Sequence, residues 1–93
     1  MAVRRYRVEG EVQGVGFRWY VREQARALGL AGWVRNEPDG AVVLVASGEA
    51  MALDTLERVL TIGPQYSTVS NVVRRELTSF DAMGLPTPFL IER

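Results

Sequence analysis

Residues 31–46 read AGWVRNEPDGAVVLVA, and this stretch decides the fold. Residues 31–35 and 41–46 are apolar, β-prone runs, and the sequence EPDG at positions 37–40 joins them. Proline presets the first backbone angle of a turn, and glycine accepts the positive φ that a later turn position requires. The stretch therefore predicts a β-hairpin, whose two strands are antiparallel neighbours.

Apolar residues at helical spacing predict an amphipathic helix on each side of the hairpin. Before the hairpin these residues are Phe17, Val21, Ala25 and Leu28. After it they are Leu53, Leu56, Val59 and Leu60. Gly29 ends the first predicted helix and Gly63-Pro64 ends the second, as expected for helix C-termini.

Further strands are predicted outside the helices. Residues 4–12 alternate between apolar and charged side chains, which indicates a strand with one solvated face. Residues 69–77 form a fourth strand, residues 79–87 form a loop, and residues 88–92 add a short edge strand. The order strand, helix, strand, strand, helix, strand predicts an α+β ferredoxin-like plait, an antiparallel sheet with both helices on one face.

The composition limits the possible chemistry. The chain has 93 residues, eleven basic and eleven acidic side chains, and neither histidine nor cysteine. This predicts one domain over residues 1–93, a monomer, without a disulfide or the usual transition-metal ligands. No apolar run approaches the roughly 20 residues of a membrane span and no signal-peptide core follows the N-terminus, so we expect a cytoplasmic protein.

A glycine-containing loop, Gly14-Val15-Gly16-Phe17-Arg18, lies between the first strand and the first helix. Several backbone N–H groups at such a junction lack helical acceptors and can converge on an anion. Arg18 would add a charge-assisted fork of donors. The alternative is an ordinary strand-to-helix turn that carries glycines and is followed by a surface arginine by chance. The nucleotide P-loop and the dinucleotide fingerprint are excluded, since no Gly-Lys-Ser/Thr follows and Trp19 occupies the third glycine position.

Asn36 ends the second predicted strand. Its side-chain amide can donate through nitrogen and accept through oxygen, and so could hold a water molecule. Asparagine is also common at strand ends because it bonds to its own turn backbone, which is the alternative role. In a plait, the first loop and the end of a neighbouring strand can face one ligand.

Two segments resemble the signature segments of the acylphosphatase family. The first is Val12-Gln13-Gly14-Val15-Gly16-Phe17-Arg18. The second is Gly32-Trp33-Val34-Arg35-Asn36, followed by Gly40, Val42 and Gly48. Both match without a gap and in the expected order, and the similarity covers essentially the whole chain. The polar residues between positions 65 and 75 depart from the family pattern, so we expect irregular local packing there.

The resemblance implies hydrolysis of small-molecule acyl phosphates to a carboxylate and inorganic phosphate, with no cofactor and no metal. By this similarity the phosphoryl group is bound by the loop residues Gln13, Gly14, Val15, Gly16, Phe17 and Arg18. Asn36 orients the attacking water, and a phosphate oxygen of the substrate accepts its proton. Glu37 is the nearest candidate base, but we interpret it as a turn residue.

Parts of the sequence also fit two other functions. Tyr6, Phe17, Trp19, Tyr20 and Trp33 could stack on bases in an RNA-binding plait. The third strand lacks the aromatic RNA-binding motif and the charge is balanced, so we expect core aromatic residues and no nucleic-acid partner. A module that binds carbamoyl phosphate for a larger enzyme is the other alternative, disfavoured because the chain ends soon after the edge strand.

Overall fold

A computed structural model describes residues 1–93 and contains the predicted hairpin. Strands β2 (Ala31–Asn36) and β3 (Val42–Gly48) pair antiparallel, from Ala31 opposite Ser47 to Asn36 opposite Val42. The turn closes itself, because the Glu37 N–H donates to the Ala41 carbonyl at 2.8 Å. Gly40 has a φ of +100°, which an L side chain rarely adopts.

The remaining strands extend the sheet on both sides of this hairpin. Strand β1 (Ala2–Glu11) pairs antiparallel with β3 and with β4 (Thr68–Leu77). The two-residue strand β5 (Leu90–Ile91) pairs with β2, so the sheet order is β4-β1-β3-β2-β5. The predicted plait and its short edge strand are confirmed. The β2–β5 pairing is parallel, so the sheet is mixed and not purely antiparallel as predicted.

Two helices cover one face of the sheet and supply half of its core. Helix α1 spans Phe17–Ala27 and helix α2 spans Ala50–Ile62. Their buried residues, all from the predicted stripes, are Phe17, Val21, Ala25, Leu53, Leu56 and Leu60. They pack in one cluster with alternate residues of the strands, which include Tyr6, Val8, Val34 and Leu44. No helix in the fold is both long enough and apolar enough to cross a membrane.

The region predicted to be irregular, residues 65–75, contains a turn in which Tyr66 has a φ of +74°, followed by most of strand β4. β4 is ten residues long and forms the edge of the sheet, where polar side chains remain in solvent. Asn71 donates to Glu9 and Arg74 pairs with Glu57, so the polar residues that interrupt the pattern bond to neighbouring elements. β4 also contains an irregularity: Glu9 lies opposite Asn71 and Gly10 lies opposite Val69, so Ser70 is an extra residue that forms a β-bulge. The predicted loop 79–87 begins with a single 3-10 turn, Ser79–Ala82.

Candidate active site

The loop between β1 and α1 is held in a left-handed backbone conformation. Gly14 and Gly16 both have a φ of +77°, and Gly16 directly precedes the helix. A Cβ atom at either position would meet no protein atom within 4 Å, so the backbone angle and not crowding by the protein requires glycine. No side chain caps the first turn of α1, which leaves its N–H groups available to a ligand.

The start of α1 is anchored on both sides of Arg18. Phe17 is buried in the core, and the Tyr20 hydroxyl donates to the Val59 carbonyl of α2 at 3.2 Å. Partial burial raises the pKa of Tyr20, so its phenol stays protonated and able to donate. These contacts fix the direction in which Arg18 leaves the helix.

A cleft of about 170 Å³ opens beside this loop. It is lined by Val12, Gly14, Gly16, Phe17, Arg18, Trp19, Asn36, Ile91 and Arg93. Arg18 and Asn36 are eighteen positions apart in the sequence, and the fold brings both to one cavity. The predicted convergence of the loop with the end of β2 is therefore present in the structure.

The guanidinium of Arg18 has no partner in the protein. Five other arginines form ion pairs with carboxylates, namely Arg4, Arg7, Arg22, Arg35 and Arg74. Arg18 makes neither an ion pair nor a side-chain hydrogen bond, although it is only partly exposed. An unneutralised cation beside free helix N–H groups can bind an oxyanion.

Both polar atoms of the Asn36 side chain are also without partners. Its Oδ1 is buried and accepts no hydrogen bond. The structure contains no hydrogen bond from its Nδ2 either, and this atom is not buried. An unpaired buried acceptor costs about 1–3 kcal/mol. The turn-bonding alternative for Asn36 is therefore not what the structure contains, and Nδ2 is free to donate in the cleft.

Two predicted loop residues do not line the cleft with their side chains. The Gln13 side chain crosses to the hairpin, where Nε2 donates to the carbonyls of Glu37 and Ala41 at 2.7 and 2.9 Å. The Val15 side chain packs against the core. Their predicted contacts with phosphate are therefore limited to backbone N–H groups. The Glu37 carboxylate pairs with Arg35 at 3.0 Å. This ion pair fits the role of a turn residue better than that of a catalytic base.

Four cleft residues, Val12, Trp19, Ile91 and Arg93, were not predicted as site residues. Trp19 was expected in the core, but it is 58% exposed at the cleft, and that expectation is wrong. Its position two residues after Phe17 turns it about 200° away from the buried stripe, which is a signal that the sequence contained. Ile91 and Arg93 reach the cleft because β5 lies parallel beside β2, which no local pattern predicts.

Comparison with known proteins decides the family. The model of the family described as acylphosphatase matches residues 4–84. The chain belongs to the acylphosphatase family. An acylphosphatase of Nitratidesulfovibrio vulgaris (strain DP4) is 54% identical over 76 residues, which cover 82% of this chain and 76% of the relative.

Solved acylphosphatase structures have the same fold. The crystal structure of acylphosphatase from Bacillus subtilis gives a TM-score of 0.93 at 36% identity and covers 100% of both chains. The structure of an acylphosphatase from Coxiella burnetii gives 0.87 at 36% identity, covering 98% of this chain and 92% of that one. The family match includes the loop, Arg18 and Asn36, whereas Ile91 and Arg93 lie beyond it.

Proposed function

We propose that the chain hydrolyses the carboxyl–phosphate bond of acyl phosphates and releases a carboxylate and inorganic phosphate. Family membership supports the activity. The observation that carries the assignment to a site is the pair of unpartnered polar groups, the Arg18 guanidinium and the Asn36 amide, that line one cleft at the start of α1.

In this proposal the phosphoryl group lies against the loop. The N–H groups of residues 13–18 donate to its equatorial oxygens, and Arg18 adds a permanent positive charge. Phosphoryl transfer through a loose transition state depends mainly on such positioning and charge stabilisation. The uncapped first turn of α1 and the unpaired Arg18 are suited to both tasks.

Asn36 then orients the water. Its Nδ2 donates to the water oxygen, which attacks phosphorus in line with the bond to the carboxylate. The phosphorus–oxygen bond to the carboxylate breaks as the new one forms, and the water proton passes to a phosphate oxygen of the substrate. Neither Arg18 nor Asn36 is a base, so the substrate has to take that proton itself.

The leaving group explains why no general acid is needed. A carboxylate is the conjugate base of an acid with a pKa of roughly 4, so it departs without protonation. A phosphate monoester would instead release an alkoxide of far higher basicity. We therefore propose selectivity for acyl phosphates over monoesters, without a metal or another cofactor. A monomeric, cytoplasmic, single-domain protein without a nucleic-acid partner remains a prediction.

Benzoyl phosphate hydrolysis in excess chelator tests this proposal. The same preparation is offered an ordinary phosphate monoester and a labelled RNA oligonucleotide. We expect turnover of the acyl phosphate alone. Metal dependence, turnover of the monoester, or tight RNA binding without hydrolysis would contradict the proposal.

A further inference from the structure

The side chain of Gln13 connects the two segments beside the cleft, which are the loop between β1 and α1 and the hairpin turn that follows Asn36. Its Nε2 donates to the Glu37 carbonyl at 2.7 Å and to the Ala41 carbonyl at 2.9 Å, across 24 and 28 positions of sequence. Gln13 directly precedes Gly14 of the anion-binding loop, and Glu37 directly follows Asn36. One side chain therefore joins the loop to the residue beside Asn36.

The sheet itself does not make this connection. The ladder between β1 and β3 ends where Val8 lies opposite Val42. Beyond that point β1 continues to Glu11 in register with β4 only, on the side away from the hairpin. An ion pair between Arg7 and Asp39 at 2.6 Å also ties the turn to β1. The hydrogen bonds that join the loop itself to the turn are the two from Gln13.

The hairpin does not need these bonds to satisfy its own backbone. The Ala41 carbonyl already accepts from the Glu37 N–H at 2.8 Å, and the Glu37 carbonyl accepts from the Gly40 N–H at 3.1 Å. Gln13 adds a second donor to each carbonyl, which two lone pairs allow. Its contribution is to hold the loop and the hairpin at one separation.

We infer that Gln13 is a positioning residue, which fixes the distance between the loop that binds phosphate and the Asn36 amide that presents water. This inference rests on the proposed function. In-line attack requires the water oxygen and phosphorus to be about 3–3.5 Å apart, and a displacement of 1 Å can reduce the rate about a hundredfold. Phosphate is bound by the loop N–H groups and Arg18 and not by Asn36. We therefore expect phosphate binding to survive when the two Gln13 hydrogen bonds are removed.

Three variants separate the link from the side chain itself. Gln13→Met keeps the length and removes both donors. Gln13→Lys restores N–H donors that can reach the two carbonyls. Gln65→Met is the matched control, since Gln65 is exposed and makes no hydrogen bond through its side chain. Each variant is assayed with benzoyl phosphate for kcat, and with inorganic phosphate as a competitive inhibitor.

For Gln13→Met we expect kcat to fall about tenfold to a hundredfold. The inhibition constant for phosphate should stay within about threefold of that of the unmodified protein, because the loop N–H groups and Arg18 are unchanged. Gln13→Lys should recover most of the lost kcat, and Gln65→Met should change neither value. An unchanged kcat in folded Gln13→Met, or an equal loss of turnover and phosphate affinity, would overturn the inference.

A second measurement does not depend on turnover. In the NMR spectrum of the phosphate-bound protein, the Asn36 side-chain amide should give one sharp pair of signals. In Gln13→Met the same signals should broaden through exchange on the microsecond to millisecond scale. Identical Asn36 signals in both proteins would refute the positioning role. Absent hydrolysis by the unmodified protein would instead refute the proposed function, and the NMR result would still decide the role of Gln13.

Discussion

Replacing Asn36 with leucine should stabilise the protein while it removes activity. The buried Oδ1 of Asn36 has no hydrogen-bond partner, and such an acceptor costs about 1–3 kcal/mol in the folded state. Leucine has nearly the same shape and no polar atom. Because the Asn36 side chain donates and accepts no hydrogen bond, the substitution removes this cost without breaking a contact between polar groups.

The expected gain lies at the lower end of this range. The unburied end of the side chain, which carries Nδ2, would become an apolar methyl group facing the cleft, and this offsets part of the benefit. We therefore expect the free energy of unfolding to rise by about 1 kcal/mol, which raises Tm by about 4–8 °C in a domain of this size. Turnover of an acyl phosphate should be lost.

Thermal unfolding and the hydrolysis assay on the same preparation test this prediction. Asn71→Leu is the control, because Asn71 is exposed on β4 and its Nδ2 donates to Glu9. It should give no gain in stability. A lower Tm in Asn36→Leu would mean that Oδ1 is satisfied in solution, and retained turnover would mean that Asn36 does not orient the water.

Three other predictions test the packing and the electrostatics. Gly32→Ala should destabilise the fold by more than about 3 kcal/mol in urea unfolding, because its φ is +142° and a Cβ would lie 1.9 Å from the Val45 carbonyl oxygen; a smaller loss would contradict that close approach. Burial raises the pKa of Tyr6 to about 12. The unfolded chain ionises near pH 10, so about 2–3 kcal/mol of stability should be lost between pH 10 and 12, and the same loss in Tyr6→Phe would exclude this cause. Phe17→Ala should cost about 3–5 kcal/mol and Trp19→Ala less than about 1 kcal/mol; similar losses in calorimetry would place Trp19 in the core.

Local patterns predicted the elements that positioned the candidate site. The hairpin followed from its turn residues, and the helices followed from the spacing of Phe17, Val21 and Ala25, all of which are buried. Each of these signals acts within a few positions of sequence. Local pattern made Arg18 and Asn36 only candidates, each with an ordinary turn role as the alternative, and the resemblance to the acylphosphatase family predicted their functional roles.

Two contacts between distant segments were not predicted. The parallel pairing of β5 with β2 involves two residues, and it brings Ile91 and Arg93 to the cleft. A two-residue strand carries no periodicity, and its partner is decided by packing across the sheet. The bonds from Gln13 to the hairpin are equally invisible in sequence, because the loop and the turn approach each other only after β1 and β3 have paired.

Strand β4 was predicted at residues 69–77, but the reason for its polar side chains was not. The polar residues Asn71 and Arg74 depart from the family pattern, and from this we predicted irregular local packing. An edge strand keeps its backbone pairing on one side only, and its polar side chains, such as Asn71 and Arg74, remain exposed. Polar and charged residues are a common feature of exposed edges, where they oppose pairing between chains.

Equilibrium binding of inorganic phosphate to Arg18→Gln tests the central claim most directly, because the claim assigns binding to Arg18 and water orientation to Asn36. Arg75→Gln is the control, since Arg75 is exposed on β4 and forms no ion pair. Loss of a charge-assisted contact should weaken phosphate binding about tenfold to a hundredfold in Arg18→Gln. Asn36→Ala and Arg75→Gln should bind phosphate as the unmodified protein does. Unchanged phosphate affinity in Arg18→Gln would contradict the account.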